Sequence, residues 1–172
     1  MKRFFALAAI GFAFAGCFKN GEDSRTCNYD PCGYKAPQAE IDSVKAILAR
    51  QGITNATEHC SGLFYVVDSM GNGAVPSPCD QVAVRYKGML KDGSVFDQSN
   101  TTSGWAPVGG FIPGWINGLP LIKQGGGMRL YIPPSLGYGK NAIKDRVDTT
   151  KVIIPANSVL IFEVKLDGVW KS

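Results

Sequence analysis

Side chains suited to acid–base or nucleophilic chemistry are sparse in this sequence. There is one histidine, His59, and without a paired Cys or Asp arranged around it, it reads as a surface residue and not as a catalytic base. The residues with chemical potential are instead aromatic. The run at 109–139, GGFIPGWINGLPLIKQGGGMRLYIPPSLGYG, carries Trp115 among glycines and prolines and holds Tyr138 between Gly137 and Gly139. It is too rich in Gly and Pro to be one long helix or strand, yet too apolar to be a linker. It reads as a short helix and a strand joined by tight turns that present rings, with its glycines as turn positions. Asp97 directly follows Phe96 at an apolar strand end, where a buried carboxylate needs a partner that Tyr86 can supply. Any small β domain also buries Phe, Tyr and Trp as plain core.

The elements that must position these rings follow from the rest of the chain. At 172 residues, with 45% hydrophobic and 19% charged side chains, the sequence suits one globular domain with a processing segment and a modest extension. The formal charge of +4 is carried by singly scattered basic residues, so no clustered patch points to nucleic acid. Residues 1–16 have a positive start and an apolar stretch too short for a bilayer span, the pattern of a signal peptide. Phe14-Ala15-Gly16-Cys17 has the form of a lipobox, in which Cys17 is acylated and becomes the new N-terminus. Phe14 departs from the commoner Leu, and cleavage after Ala15 gives the alternative of a soluble periplasmic protein. Acyl chains contribute about 0.8 kcal/mol per buried methylene, so several would tether the chain firmly on the periplasmic or outer membrane surface without spanning it.

Residues 17–38 read as a polar, lipid-anchored spacer. Its Cys27 and Cys32 join Cys60 and Cys79, an even count that in an exported chain favours disulfides in any of three pairings. Zinc is the weaker alternative, because Cys60 and Cys79 form no second close pair. Residues 39–61 hold the clearest helix and a connection: Ile41, Val44, Ile47 and Leu48 share one helical face, Gly52 supplies a stop, and three turns suit packing on the domain better than a projecting arm. Asn55-Ala56-Thr57 and Asn100-Thr101-Thr102 match glycosylation sequons but read as polar loops.

From Gly62 the pattern changes to β. Strands are expected over 63–67, over 82–90 with Val82, Val84 and Tyr86 facing one way, over 95–97 after a hairpin turn, over 128–132 and over 158–166. With two short helical pieces and no repeat, residues 62–172 form one antiparallel α+β domain.

The segments VRYKGMLKDGSVFDQS, VGGFIPGW, LYIPPSLGYG and IIPANSVLIFEVKL, in that order, resemble the FKBP-type peptidyl-prolyl cis-trans isomerases over about 110 residues. The resemblance implies a five-stranded antiparallel sheet wrapped around a short central helix, here beginning near Pro113 and running to about Leu121, with the one N-terminal helix added. It implies a pocket with Trp115 as floor, Tyr86, Phe96 and Phe162 as walls, and Phe111 and Ile154 at the rim. The Ile112 N–H and the Tyr138 hydroxyl would each bind a substrate carbonyl, and the Asp97 carboxylate would lie near the twisting amide. Trp105 has no clear place in this pattern. The implied activity is rotation about X–Pro amides of polypeptide substrates, with no cofactor and no metal, and the implied inhibitors are macrolides.

An aromatic pocket suffices for that reaction. Amide resonance sets a rotational barrier of about 18–20 kcal/mol, and X–Pro bonds interconvert over tens to hundreds of seconds. Resonance separates charge, so transfer to an apolar pocket weakens the planar amide more than the twisted one. Donors that fit only the twisted carbonyl add stabilisation of the transition state. A proline-binding module or holdase with little turnover is the alternative on the same fold. Two departures bear on specificity. The loop at 140–152 is longer and more charged than in compact members and lacks their histidine, which puts the pocket rim and macrolide affinity in question. Trp105-Ala106-Pro107 replaces a more aromatic strand and makes one wall shallower. The family topology sets Cys60 and Cys79 at opposite ends of separated strands, so it implies that Cys27 or Cys32 bridges to the domain.

Overall fold

The computed structural model of the protein describes residues 28–172; the leader at 1–16, Cys17 and Cys27 lie outside the described residues. Helix α1, Gln38–Arg50, buries the stripe Ile41, Val44, Ile47 and Leu48 that its apolar spacing predicts. All four join the main core, so the helix packs on its own domain. It stops where Gly52 takes φ +67°, a left-handed conformation that glycine adopts at little cost.

The strands among the described residues are β1 (Thr57–Glu58), β2 (Phe64–Ser69), β3 (Gln81–Met89), β4 (Val95–Ser99), β5 (Ala106–Pro107), β6 (Gly127–Ile132), β7 (Ile143–Lys144), β8 (Val152–Ile154) and β9 (Leu160–Trp170). The main sheet runs β1-β2-β6-β9-β3-β4, with β5 added against β3, and every pairing is antiparallel. Its body is the expected five strands. The two-residue segments β1 and β5 extend it, and β7 and β8 form a separate hairpin. β9 continues four residues past the apolar run that marks it in the sequence. It can do so because it bulges: Ala83 pairs with Gly168 and Val84 with Leu166, leaving Asp167 without an opposite residue. The Asp167 carboxylate accepts bonds from Arg85 Nε and Nη2, both at 2.8 Å, in the bidentate geometry that suits arginine.

Helix α2, Pro113–Gly118, crosses the concave face of the sheet. Pro113 opens it at a position where a missing N–H costs nothing. The helix is shorter than expected: it ends at Gly118, and Leu119–Leu121 tightens into a 3₁₀ turn. Pro120 is the reason, since it lacks an N–H and its ring crowds the carbonyl four residues back. A Cβ on Gly114 would stand 2.5 Å from Ile132, and one on Gly118 would stand 2.8 Å from Leu130. These two glycines are therefore sites of close approach between helix and sheet and not turn positions.

Residues 28–36 run as a strap across the outer side of α2. Tyr29 Oη donates to Asn117 Oδ1 at 2.7 Å, and the Ala36 N–H donates to the Ser61 carbonyl at 2.9 Å. A disulfide joins Cys32 to Cys60 with Cα atoms 5.4 Å apart, so the bridge from spacer to domain is present and Cys60 is not joined to Cys79. Cys79 is disulfide-bonded as well. Next to the strap, Glu40 of α1 accepts the Ser135 N–H at 2.8 Å, and so holds the 3₁₀ turn Pro134–Leu136 that leads into Tyr138.

Candidate active site

Strand alternation puts Val84 and Tyr86 of β3 on the concave face, β4 brings Phe96 beside them, and β9 supplies Phe162. Gly88 permits this crowding, because a Cβ there would lie 2.6 Å from the Phe96 ring and 2.9 Å from that of Phe162. α2 sets Trp115 beneath. The rings meet edge to face: Tyr86–Trp115 at 5.4 Å and 85°, Trp115–Phe162 at 5.2 Å and 83°, Phe96–Phe162 at 5.5 Å and 89°, and Phe111–Trp115 at 5.0 Å and 60° between centroids and planes. Each such pair is worth about 0.5–1.5 kcal/mol beyond burial. The floor and walls are thus rigid.

These rings enclose a cavity of about 440 Å³ that is open to solvent. Eight of the nine residues assigned by resemblance line it: Tyr86, Phe96, Asp97, Phe111, Ile112, Trp115, Tyr138 and Phe162. Ile154 does not. It is 3% exposed within the core and pairs with Ile143 across the β7–β8 hairpin. No residue of the 140–152 loop lines the cavity either; the loop folds on itself, with Asp145 Oδ1 accepting the N–H groups of Val147 and Asp148. Val84, Ser103, Ala106 and Gly110 complete the lining. Of these, Val84 had a sequence signal in its two-residue spacing from Tyr86, and Ala106 in the segment expected to form one wall. Ser103 Oγ accepts the Val84 N–H at 3.0 Å, a long-range contact with no local pattern. Trp105 lies outside the cavity: its ring covers Gly168 and packs on Trp170 at 6.1 Å. The next residue, Ala106, lines the cavity.

Polar groups sit at the floor and mouth. Tyr86 Oη donates to Asp97 Oδ2 at 2.7 Å. Burial, with the hydrogen bond and charge of Asp97, pushes the Tyr86 phenol up to about 12. Burial and the Asp97 carboxylate also raise the Tyr138 phenol. Tyr138, 37% exposed, therefore hangs over the mouth as a neutral O–H donor. The Ile112 N–H lies at the N-cap of α2, where a helix leaves its leading N–H groups without carbonyl partners. The Trp115 Nε1–H is buried with no acceptor among the described residues. The site is an apolar socket with donors around it, and it has no nucleophile–base pair.

His59 is not the isolated surface residue that the sequence suggests. It is half-buried and lies beside the Cys32–Cys60 bond, with Cys60 Sγ 3.7 Å from both ring nitrogens. The adjacency of His59 and Cys60 in the sequence was the available signal.

A short helix packed in the concave face of an antiparallel sheet, with an aromatic socket between them, defines an α+β domain built to hold one compact apolar ring. A family model described as FKBP-type peptidyl-prolyl cis-trans isomerase matches residues 73–167, more than half of the chain. The chain belongs to the FKBP-type peptidyl-prolyl cis-trans isomerase family. It is 44% identical over 110 residues to the FKBP-type peptidyl-prolyl cis-trans isomerase FkpA of Escherichia coli, covering 62% of this chain and 37% of that protein. It is 42% identical over 119 residues to the FKBP-type 22 kDa peptidyl-prolyl cis-trans isomerase of the same organism, covering 68% and 53%. The chain thus spans about a third to a half of the length of these relatives. The crystal structure of E. coli FkpA superposes with a TM-score of 0.65 at 34% identity, over 77% of this chain and 64% of that one. That of a peptidyl-prolyl isomerase from Pseudomonas syringae gives 0.65 at 29%, over 81% and 100%.

Proposed function

We propose that this protein catalyses cis–trans isomerisation of X–Pro bonds in exported polypeptides, by non-covalent stabilisation of the twisted amide. The observation that carries the reading is the aromatic cavity floored by Trp115, with the Tyr86–Asp97 pair and the Tyr138 hydroxyl at its mouth. The proline ring would rest on Trp115 between Phe96, Tyr86 and Phe162. In that apolar setting the planar, charge-separated amide loses solvation and the twisted form gains relative stability. The Tyr138 O–H and the Ile112 N–H would hold the flanking carbonyls, so that the ring stays fixed while one side of the amide turns. No proton needs to move. The same cavity suits the family's macrolide inhibitors, with the shallow Ala106 wall setting their affinity.

A protease-coupled proline-peptide assay tests the activity. A rate well above background is expected; a background rate with peptide binding retained would leave a proline-binding module or holdase instead. Residues 62–172 would form the isomerase domain, with 39–61 as its supporting helix and connection. The leader and lipobox support export, and acylation of Cys17 would fix the protein to the periplasmic or outer membrane surface. Palmitate labelling of the intact chain, abolished by Cys17→Ser, is expected.

A further inference from the structure

The group formed by Cys32, Cys60 and His59 takes no part in the isomerase reading, and its ligand atoms all lie within 4.8 Å of one another. We propose that reduction of the Cys32–Cys60 bond converts this group into a three-ligand site for zinc, so that the strap can be clipped to the domain by either a covalent or a metal link.

Geometry supports it. A tetrahedral zinc lies about 2.3 Å from sulfur and about 2.0–2.1 Å from an imidazole nitrogen, which sets those two ligand atoms about 3.5 Å apart. Cys60 Sγ is already 3.7 Å from His59 Nε2. The two sulfurs must separate, to roughly 3.8 Å by the same bond lengths, and Cys32 Sγ must settle against the ring from within the 4.8 Å that bounds the group. The strap that carries Cys32 is exposed there and can yield. The histidine is held ready. Its N–H donates to the Leu63 carbonyl and its own carbonyl accepts from Gly62, both at 2.8 Å. Nδ1 lies 2.8 Å from Ser61 Oγ. Nδ1 also accepts the Ser61 N–H at 3.2 Å, so ligation through Nε2 would shift the ring proton to Nδ1, which would then give up that bond and donate to the Ser61 hydroxyl, the outer contact that fixes the tautomer of a metal-bound histidine. Two thiolates and one imidazole form a donor set suited to zinc, and three protein ligands leave a fourth position open.

The chemistry balances with a dithiol as reductant. A thiolate of the dithiol attacks one protein sulfur, the S–S bond breaks, and the other cysteine leaves as thiolate. The second thiol then resolves the mixed disulfide, leaving the reductant oxidised and both protein cysteines reduced. Zinc then displaces any thiol protons on binding. Both cysteines are exposed, so reductant and metal can reach them.

The test is titration of the full chain with Co²⁺ as a spectroscopic stand-in, after reduction and anaerobic removal of the reductant. One equivalent should bind with tetrahedral d–d bands and sulfur-to-cobalt charge transfer, and Zn²⁺ should displace it; the oxidised chain should show neither band. Cys32→Ser should abolish the charge-transfer signature, and His59→Ala should weaken binding by at least about tenfold. Failure of the reduced chain to bind, or equal binding by Cys32→Ser or His59→Ala, would overturn the proposal. Mass-mapped alkylation of the reduced wild type gives a readout independent of variant folding. Zn²⁺ should protect Cys32 and Cys60, and protection confined to other cysteines would also sink the idea.

Discussion

Asp97 lies diagonally across from Tyr86 on β4, and the 2.7 Å bond between them places a carboxylate at the mouth of an otherwise apolar socket. Removing it frees the Tyr86 hydroxyl and, under the proposed mechanism, takes negative charge from beside the rotating amide. Removing the Tyr138 hydroxyl deletes a donor while leaving the ring. Each loss is worth about one charged or neutral hydrogen bond, so Asp97→Ala and Tyr138→Phe should each lower kcat/KM roughly tenfold in the coupled assay, with the fold unchanged by circular dichroism. The direction of the phenol shifts gives a second expectation. A tyrosine whose folded pKa is raised keeps its neutral-state contribution below its unfolded value near 10 and loses it as pH rises through its folded value, about 12 for Tyr86. Tyr138 is raised in the same direction. Hence kcat/KM should stay flat from about pH 7 to pH 10, and a decline inside that window would show that these hydroxyls are not the donors.

Between α2 and β6 the helix backbone at Gly114 rests directly on the side chain of Ile132, which is fully buried. A methyl group there cannot be absorbed by a swinging side-chain tip, so Gly114→Ala should displace the helix that carries Trp115. Overpacking of this kind costs about 1–3 kcal/mol, measurable by urea unfolding, and the variant should lose isomerase rate together with stability. An unchanged midpoint would show that the helix is free to shift. This contact also shows what the sequence does and does not reveal. Periodicity sufficed for α1 and the five main strands, because period 3.6 and period 2 are local properties of the chain. The glycines of α2 looked like turn residues, because close approach depends on Ile132 and Leu130, which lie far along the chain. The bulge at Asp167 was hidden for the same reason: its partner Arg85 is 82 residues away. At the site, resemblance located the rings that line the cavity. Ile154 was the exception: it is buried in the core and pairs with Ile143 in the β7–β8 hairpin, a pairing with no local signal.

At the scale of the whole molecule, the last described residues are latched to the turn that leads into β3. Asp80 is buried, and its carboxylate accepts from Lys171 Nζ at 2.8 Å, the Ser77 N–H at 2.6 Å and the Ser172 N–H at 3.2 Å. Burial alone would raise its pKa, but these hydrogen bonds outweigh burial and lower it to about 2. A depressed carboxylate stabilises the fold above its unfolded pKa near 3.9, and that contribution is lost as pH falls through the folded value. On the order of 2 kcal/mol should therefore disappear between about pH 4 and pH 2. Asp80→Asn should be less stable at neutral pH, with a smaller drop across that window in denaturant titrations. β9, which reaches Trp170 next to this latch, lies in the middle of the sheet between β6 and β3, although it is the last of these strands in the chain. During synthesis the earlier strands must wait: β2–β6 on one side and β3–β4 on the other share no edge until residues 160–170 arrive. The sheet, and with it the socket that Phe162 walls, is therefore complete only when the final strand is in place.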